Sequence, residues 1–453
     1  MERINRREFL NRSIRGAASV SLGAAAVSGG LPPARALGAN ERVRIALVGC
    51  GGRGRYVTLG LIEQGAEATY LCDLHLGRLE EAAKFLSDVQ QRPPRLARDM
   101  REVFDSRDVD AVVIATPDHW HAPASILACQ AGKDVYVEKP HSHNIWESRK
   151  MVEAARKYKR IVQVGTQNRS AAYNKAALSY VRSGKLGKVH LVKVYNLKPG
   201  GPFYLGEPGA APQGFNWDAW LGGAPLRPWH QHIFKGGWHK FWDFSGGDMG
   251  DDGIHQIDLA MMLMGDPAMP GAVSCSGGKM AHRGDDSEVP AVQIVTYDFD
   301  GFVMTFELTG YPRYMRKTTG TIRRSDLFPY WTQNATRIEL YGSEMMMTVG
   351  RHGGGWQVTT SGGKVEQQMC GRVPDPEHQQ DFIECVKSRN RPSADVEIVH
   401  PACTMVHLGN IAHRVGNRKL RFDVKAERFI DNTEANTLVK REYRKSYEVP
   451  EQV

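Results

Sequence analysis

Short apolar runs alternate with segments of helical periodicity between residues 43 and 165. Short runs that are apolar throughout are typical of strands buried on both faces of a parallel sheet. The candidate strands are residues 43–48, 68–72, 111–115, 134–137 and 161–164. Helical periodicity over residues 77–89, 123–131 and 145–158 predicts the connections between them. The pattern therefore predicts a doubly wound α/β domain of the Rossmann type, which we place at residues 41–165.

The first apolar run ends in a glycine-rich turn over residues 49–54. A strand that turns tightly into a helix brings bare backbone to a pyrophosphate at the helix N-terminus. Asp73 follows the next run, at the distance expected of a carboxylate that binds a ribose hydroxyl. This carboxylate favours NAD over NADP, although Arg53 and Arg78 would moderate the preference. The residues assigned to cofactor binding from this pattern are Gly49, Gly51, Gly52, Arg53, Gly54 and Asp73.

Beyond residue 165 the pattern changes to strands of alternating polarity. Residues 188–195, 291–299, 301–308 and 337–341 alternate like antiparallel strands, after a helix at 173–183. They predict an α+β domain over residues 166–425 with an open, mostly antiparallel sheet, followed by a tail at 426–453. A Gly/Pro/Trp/His-rich segment, residues 199–247, is long enough to indicate a functional loop. Its aromatic side chains either stack on carbohydrate or pack among themselves: Phe215, Trp217, Trp220, Trp229, Trp238 and Trp242.

Residues 1–36 have the order of a twin-arginine export signal. Arg6 and Arg7 precede a weakly apolar stretch at residues 16–30, and residues 34–36 form a small-residue cleavage pattern. We therefore expect the twin-arginine machinery to export the folded, cofactor-loaded protein to the periplasm. Removing the segment's six arginines and two glutamates lowers the formal net charge from +9 to +5, which does not indicate a nucleic-acid or membrane partner. No run of the remaining chain is long and apolar enough to cross a bilayer.

Polar clusters follow the third and fourth apolar runs, at residues 116–121 and 138–140. Because the carboxyl ends of parallel strands meet at one edge of a sheet, both clusters should face the same crevice as the glycine turn. A third cluster spans residues 246–258. If a helix begins near residues 252–253, Asp251 and His255 face one direction, and Asp258 lies within one turn of His255.

These side chains suit the oxidation of an alcohol. A histidine held near neutral pKa by a carboxylate takes a proton from a hydroxyl as hydride leaves the same carbon. An ammonium group such as that of Lys139 stabilises the developing alkoxide. Asp251, Asp252 and His255 offer a metal-ligand alternative, but no matching cysteine or histidine pair completes a first shell, so we assign no metal.

Together, the glycine turn, Thr116-Pro117 with His121, Glu138-Lys139-Pro140 and the cluster around Asp251 resemble the Gfo/Idh/MocA family of NAD(P)-dependent sugar and cyclitol oxidoreductases. The resemblance implies that Lys139 is the catalytic lysine beside the nicotinamide, Asp251 its polar partner and His255 the acid/base residue. It also implies a homo-oligomer built on the open sheet. The further candidates for cofactor contact are Thr116, Pro117, His121, Glu138, Lys139 and Gln167. Substrate contact and capping of the domain junction remain open for Gln167, Asn168, Arg169 and Tyr173.

Export bears on the reaction, because no free nicotinamide pool is expected outside the cytoplasmic membrane. An exported member should recycle a tightly held cofactor, either by coupling the oxidation of one sugar to the reduction of another or by redox-neutral glycoside cleavage. Relatives best known for glycoside cleavage lack the lysine of Glu-Lys-Pro, so Lys139 favours an oxidoreductase. A noncatalytic sugar or nucleotide sensor is a third interpretation, which the presence of Lys139, Asp251 and His255 together disfavours.

Overall fold

The computed structural model describes residues 42–453, so the expected export signal at residues 1–36 lies outside the described residues. Within the described part, no helix combines the length and apolar composition needed to cross a bilayer. The chain forms two sheets, one parallel with six strands and one mostly antiparallel with ten. Both predicted architectures are therefore confirmed.

The parallel sheet has the strand order β3-β2-β1-β4-β5-β6. Leu47 of the central strand lies opposite Leu71 on one side and Val113 on the other, and all three are fully buried, as the apolar runs predicted. The strands are β1 (Arg44–Val48), β2 (Glu67–Cys72), β3 (Arg95–Ala97), β4 (Ala111–Ile114), β5 (Asp134–Val137) and β6 (Val162–Val164). The helices that connect and flank them are α1 (Gly52–Glu63), α2 (Leu76–Gln90), α3 (Met100–Asp105), α4 (His121–Gln130) and α5 (Ile145–Lys157).

The second sheet has the order β14-β13-β12-β11-β7-β10-β9-β8-β15-β16, and only β7 and β10 pair in parallel. Its strands are β7 (Leu191–Leu197), β8 (Ala272–Gly278), β9 (Val292–Phe299), β10 (Phe302–Thr309), β11 (Arg337–Tyr341), β12 (Met345–Gly350), β13 (Trp356–Thr360), β14 (Val365–Met369), β15 (Leu420–Asp423) and β16 (Arg428–Phe429). The remaining helices are α6 (Ala172–Arg182), α7 (Trp217–Leu221), α8 (Gln231–Phe234), α9 (Ile254–Leu263), α10 (Gly320–Arg323), α11 (Asp375–Ser388), α12 (Val396–Arg414) and α13 (Thr433–Thr437).

Helices α9 and α12 cover one face of the second sheet and bury its apolar side chains. Tyr297 on β9 is fully buried there, and its hydroxyl donates to the Met405 carbonyl oxygen of α12 at 2.7 Å. On alternate positions of the sheet, Ile294 and Val303 are exposed. This is the one-sided burial that the alternating polarity predicted.

The aromatic side chains of residues 199–247 pack mainly against one another. Trp220 and Trp229 are buried, and Trp217 stacks on Trp220 with ring centroids 4.5 Å apart. This arrangement favours mutual packing over a carbohydrate-stacking wall for these three rings. The segment also contacts the first domain, because Phe234 stacks on His75 at a centroid distance of 5.2 Å.

Residues 426–453, expected as a tail, begin on the second domain, where Phe429 and Ala435 are buried, and continue as a strap across the first domain. The strap begins with β16 and α13, and its last residues bury Val449 and Val453 in the core of the parallel-sheet domain. Arg441 Nη2 donates to the carbonyl oxygen of His119 at 2.8 Å, next to the polar cluster after β4. The strap therefore helps to fix one wall of the crevice.

Candidate active site

The glycine turn between β1 and α1 leaves room where a cofactor phosphate would lie. Gly49 has φ +94°, and a Cβ there would lie 2.6 Å from the Ala115 carbonyl oxygen. A Cβ on Gly54 would lie 2.3 Å from the carbonyl oxygen of Gly49. A Cβ on Gly51 or Gly52, in contrast, would have no neighbour within 4 Å. Two glycines thus permit the tight packing, and the other two border open space at a helix N-terminus, which fits a pyrophosphate.

Asp73 lies beside this turn, at the end of β2. Its carboxylate accepts hydrogen bonds from the backbone N–H groups of Cys50 at 2.7 Å and His75 at 2.8 Å. These bonds fix the carboxylate next to the open space. Arg78 stacks over the Phe234 ring, 4.1 Å from its centroid. The bare turn, the helix N-terminus and the carboxylate together fit a dinucleotide with a free ribose hydroxyl.

Arg53 and Glu138 join the glycine turn to the loop that follows β5. Arg53 Nε donates to Glu138 Oε1 at 2.7 Å, and Arg53 Nη1 lies 3.6 Å from Asp375 Oδ1. Glu138 is buried, and a Cβ on Gly165 would lie 2.9 Å from its carboxylate. Both predicted cofactor residues therefore line the crevice as an ion pair with each other.

His121 lies between the Thr116-Pro117 loop and the Glu-Lys-Pro loop. Its ring is buried, with Nδ1 2.7 Å from the Pro140 carbonyl oxygen and Nε2 2.8 Å from that of Thr116. Because each ring nitrogen lies within hydrogen-bonding distance of a backbone carbonyl oxygen, His121 joins the Thr116-Pro117 loop to the Glu-Lys-Pro loop, and its contact with a cofactor stays a prediction. The hydroxyl of Thr116 is buried and has no hydrogen-bond partner among the described residues, so it stays a candidate for cofactor contact.

The residues after β6 divide between the crevice and the domain junction. Gln167 Nε2 donates to the Tyr136 hydroxyl at 3.4 Å. Arg169 is buried and donates to Asp258 at 2.8 Å and to Asp266 at 2.8 Å. Tyr173 is buried in the core, where its carbonyl oxygen accepts from the Trp356 indole. These contacts favour a structural role for Arg169, while substrate contact by Tyr173 stays open because its buried hydroxyl has no hydrogen-bond partner among the described residues.

Lys139 and Asp251, predicted as partners, form the central pair of the site. Lys139 Nζ donates to Asp251 Oδ1 at 2.8 Å and to the Asp251 carbonyl oxygen at 2.6 Å. Burial lowers the pKa of Lys139, but the charges of Asp251 and Glu138 outweigh it, so the net shift is upward. Burial raises the pKa of Asp251, but the charges of Lys139 and Lys198 bring it below its ordinary value. Both groups are charged.

The helix that carries Asp251 and His255 begins earlier than expected, with a π-helical turn at Met249–Gly253 that runs directly into α9. Asp258 pairs with Arg169 instead of His255. Burial and the charges of Arg351 and Lys139 lower the pKa of His255 well below its ordinary value. The expectation that a carboxylate holds His255 near neutral pKa is therefore wrong. Its imidazole is neutral, with Nδ1 buried and unpartnered among the described residues.

The structure adds three side chains that sequence spacing missed. Asp118 accepts from the Ser245 hydroxyl at 2.6 Å, and burial raises its pKa to about 8, although the charge of Lys139 opposes the shift. Burial lowers the pKa of His239 to about 4, while the charge of Asp251 opposes it. Lys198 Nζ lies 3.0 Å from Asp248 and 3.9 Å from Asp251. Asp118 stood within a cluster already noted, but no spacing rule links His239 or Lys198 to Lys139.

The contacts of Asp251 and Asp252 do not favour the alternative in which these residues and His255 bind a metal ion. Over residues 42–453, no group of three or more His, Cys, Asp or Glu side chains is arranged to hold a metal ion. Asp251 is bound by Lys139, and Asp252 lies 2.5 Å from Lys317 Nζ. Both carboxylates are engaged by cationic side chains.

A doubly wound domain with a glycine turn that fits a dinucleotide, joined to an open antiparallel sheet, is an architecture that suits an NAD-binding oxidoreductase. The family model described as "Oxidoreductase family, NAD-binding Rossmann fold" matches residues 43–166. Its companion, "Oxidoreductase family, C-terminal alpha/beta domain", matches residues 203–305 and 348–449. The chain belongs to the Gfo/Idh/MocA oxidoreductase family.

Relatives in this family act on cyclitols and on glycosides. The chain is 29% identical to scyllo-inositol 2-dehydrogenase (NAD(+)) of Bacillus subtilis over 227 residues, 50% of this chain and 55% of that one. It is 28% identical to the alpha-N-acetylgalactosaminidase of Shewanella oneidensis over 156 residues, 33% of this chain and 34% of that one. The matches thus span about half and about a third of these relatives.

Solved structures share the fold at low sequence identity. Levoglucosan dehydrogenase in complex with NADH and levoglucosan superposes with a TM-score of 0.61 at 18% identity, covering 84% of this chain and 99% of that one. The aldose-aldose oxidoreductase of Caulobacter crescentus, complexed with glycerol, gives a TM-score of 0.61 at 18% identity, with 84% of this chain and 100% of that one covered.

Proposed function

We propose that this protein oxidises a ring hydroxyl of a sugar, glycoside or cyclitol by hydride transfer to bound NAD. The observation that carries the proposal is the position of Lys139, which follows β5 at the same sheet edge as the glycine turn and is held by Asp251 at 2.8 Å. A charged ammonium at this edge stabilises a substrate oxygen as it becomes an alkoxide. Bound NAD+ would supply the hydride acceptor.

His255 is the proposed base. A neutral imidazole can take the hydroxyl proton while the C–H electron pair leaves as hydride, so the alcohol becomes a carbonyl group. The downward shift in the pKa of His255 keeps the ring neutral, so that a nitrogen lone pair is available, but it also makes the free-protein imidazole a weak base. Asp251 orients Lys139 through two hydrogen bonds from its Nζ. Positioned in this way, the lysine needs little reorganisation when the oxygen becomes negative.

We also propose that the cofactor is retained between turnovers. The segment at residues 199–247 packs over the connection that follows Asp73, where Phe234 stacks on His75 at 5.2 Å and Arg98 bonds to the Gly214 carbonyl oxygen. These contacts cover the end of the crevice where a ribose would bind. Retention also suits the proposed export of the folded protein to the periplasm. A homo-oligomer through the exposed face of the second sheet completes the proposal.

Redox-neutral glycoside cleavage is the second candidate, favoured by the match to an alpha-N-acetylgalactosaminidase. Oxidation of a ring hydroxyl acidifies the neighbouring C–H, so a base can remove that proton as the glycosidic oxygen leaves; water then adds and the hydride returns. Lys139 argues for the first candidate, because the family resemblance leads us to expect glycoside-cleaving relatives without the lysine of Glu-Lys-Pro.

One experiment separates the two candidates. The protein is purified without added nucleotide, denatured and tested for released NAD(H), and the intact protein is then screened against free sugars and aryl glycosides in D2O. Reduced nicotinamide that accumulates with an oxidised sugar supports the oxidoreductase. Aglycone release without added cofactor, with deuterium incorporated beside the oxidised carbon, supports glycoside cleavage. If neither occurs and no nucleotide binds, both proposals fail.

A further inference from the structure

Three basic side chains share a single carboxylate next to the Lys139–Asp251 pair. The Asp252 side chain lies 2.5 Å from Lys317 Nζ, 3.3 Å from Arg351 Nη2 and 3.4 Å from Lys198 Nζ. Only 5% of the Asp252 side chain is exposed. One buried carboxylate therefore forms ion pairs with three cationic side chains.

The three bases come from parts of the chain far apart in sequence. Lys198 directly follows β7, Lys317 lies between β10 and α10, and Arg351 directly follows β12. Lys198 also lies 3.9 Å from Asp251, so the cluster is continuous with the proposed catalytic pair. The second domain thus brings positive charge next to the Lys139–Asp251 pair.

Positive charge exceeds negative charge in this cluster. Arg323 donates to the Thr318 carbonyl oxygen at 2.7 Å and, among residues 42–453, forms no ion pair within 4.0 Å. Burial and the charge of Arg323 lower the pKa of Arg351 to about 10, although Asp252 opposes the shift. The basic members, including the catalytic lysine, are Lys139, Lys198, Lys317, Arg323 and Arg351. The acidic members are Asp248, Asp251 and Asp252.

Arg53 and its partners Glu138 and Asp375, beside the glycine turn, add one positive and two negative charges, so the two groups together still carry an excess of one positive charge. Uncompensated charge in a poorly hydrated site is costly unless a ligand neutralises it. Guanidinium and ammonium groups that converge on one place are typical of sites that bind a carboxylate or a phosphate group.

We infer that the cluster of Lys198, Lys317, Arg323 and Arg351 binds an anionic group of the substrate, so that the sugar acted on carries a carboxylate or a phosphate. Lys317 is the most accessible of the three bases on Asp252, with 32% of its side chain exposed against 18% for Lys198 and 7% for Arg351. It is therefore the base that an incoming anion can contact most readily. This inference rests on the proposed function for the reaction, but the binding of the anion can be measured without turnover.

The test is calorimetric titration of the holoenzyme with D-glucuronate, glucose 6-phosphate and D-glucose, with sodium sulfate as a minimal anion. At least one sugar anion should bind about 10-fold more tightly than D-glucose, and Lys317→Gln should weaken that binding by about 10- to 100-fold, the range for a lost charged hydrogen bond. Lys317→Arg should retain most of the affinity. Lys419→Gln is the matched control, because Lys419 forms a surface pair with Asp298 and is 64% exposed.

The identity of the preferred probe distinguishes the two sources of the anion. Tighter binding of D-glucuronate indicates a sugar acid, and tighter binding of glucose 6-phosphate indicates a sugar phosphate. The inference is overturned if D-glucose binds as tightly as both sugar anions, if none of the anions binds, or if Lys317→Gln behaves like Lys419→Gln. Formation of NADH from neutral sugars alone would leave the oxidoreductase proposal standing while this inference fails.

Discussion

Replacing Lys139 with methionine removes the ammonium charge and keeps an unbranched side chain. Lys139 is only 18% exposed, so its charge is poorly screened by water. One preorganised donor to a developing oxyanion contributes about 3–4 kcal/mol, and each ~1.4 kcal/mol is a factor of ten in rate. The variant also leaves Asp251 with Lys198, 3.9 Å away, as its remaining ion-pair partner among the described residues. We therefore expect hydride transfer to slow by about 10²- to 10³-fold.

Single-turnover absorbance of the reduced nicotinamide measures this step apart from cofactor release. Nucleotide content after denaturation should match that of the wild type, because Lys139 bonds to Asp251 and not to the glycine turn. Lys419→Met controls for the loss of a lysine at an exposed position. A Lys139→Met protein that retains its cofactor and reduces it at the wild-type rate would refute the catalytic assignment.

Four further variants test the cofactor turn, the base and the strap. A Cβ at Gly51 meets open space, whereas one at Gly54 lies 2.3 Å from a backbone oxygen. Gly51→Ala should therefore lower NAD occupancy while the Tm of the nucleotide-free protein is unchanged, because bound NAD itself raises Tm. Gly54→Ala should lower the Tm of the nucleotide-free protein, and the reverse pattern would contradict this. His255→Asn should lower kcat/KM by ~10²- to 10⁴-fold. Because the pKa of His255 lies well below 6.5, the plot of wild-type kcat/KM against pH should show no acid limb centred at pH 6.5. Burial alone would raise the pKa of Glu427, but contacts with His400 and an arginine lower it from 4.5 to about 2. Glu427→Gln should therefore lower the free energy of unfolding in urea by about 2–3 kcal/mol at pH 7. The loss should be smaller at pH 3, because the stabilisation from this carboxylate is present above pH 4.5 and disappears as pH falls towards 2. An equal loss at both pH values would argue against this explanation.

The parallel sheet was predictable because its central strands are buried on both faces and are therefore apolar throughout. Leu47, Leu71 and Val113 belong to runs that could be found without any knowledge of their neighbours. β3 (Arg95–Ala97) was missed because it is a short edge strand with Arg95 and Leu96 exposed, so it carries no apolar run. The pattern of apolar residues identifies strands that are buried in the core, but it does not identify short strands at the exposed edge of a sheet.

The site was predictable in part from motifs in the sequence. The pairing of Lys139 with Asp251 was implied by the family resemblance of the motifs that carry them, and the structure joins them at 2.8 Å, while their catalytic roles stay predictions. The electrostatic environment of His255 was not predictable, because Arg351 approaches from a strand end about a hundred residues away in sequence. Helical spacing suggested Asp258 as the partner of His255, but Asp258 faces Arg169 across the domain junction.

The basic cluster and the proposed base are coupled through Arg351. Burial and the charges of Arg351 and Lys139 depress the pKa of His255 in the free protein, so the ring is a weak base before substrate arrives. An anionic group bound at Arg351 would offset that charge and raise the pKa of His255 towards the range in which an imidazole accepts a proton effectively. A neutral sugar supplies no such compensation. The same anion that fixes the substrate in the crevice would therefore strengthen the base that acts on its hydroxyl, which links substrate choice to catalysis in a single electrostatic interaction.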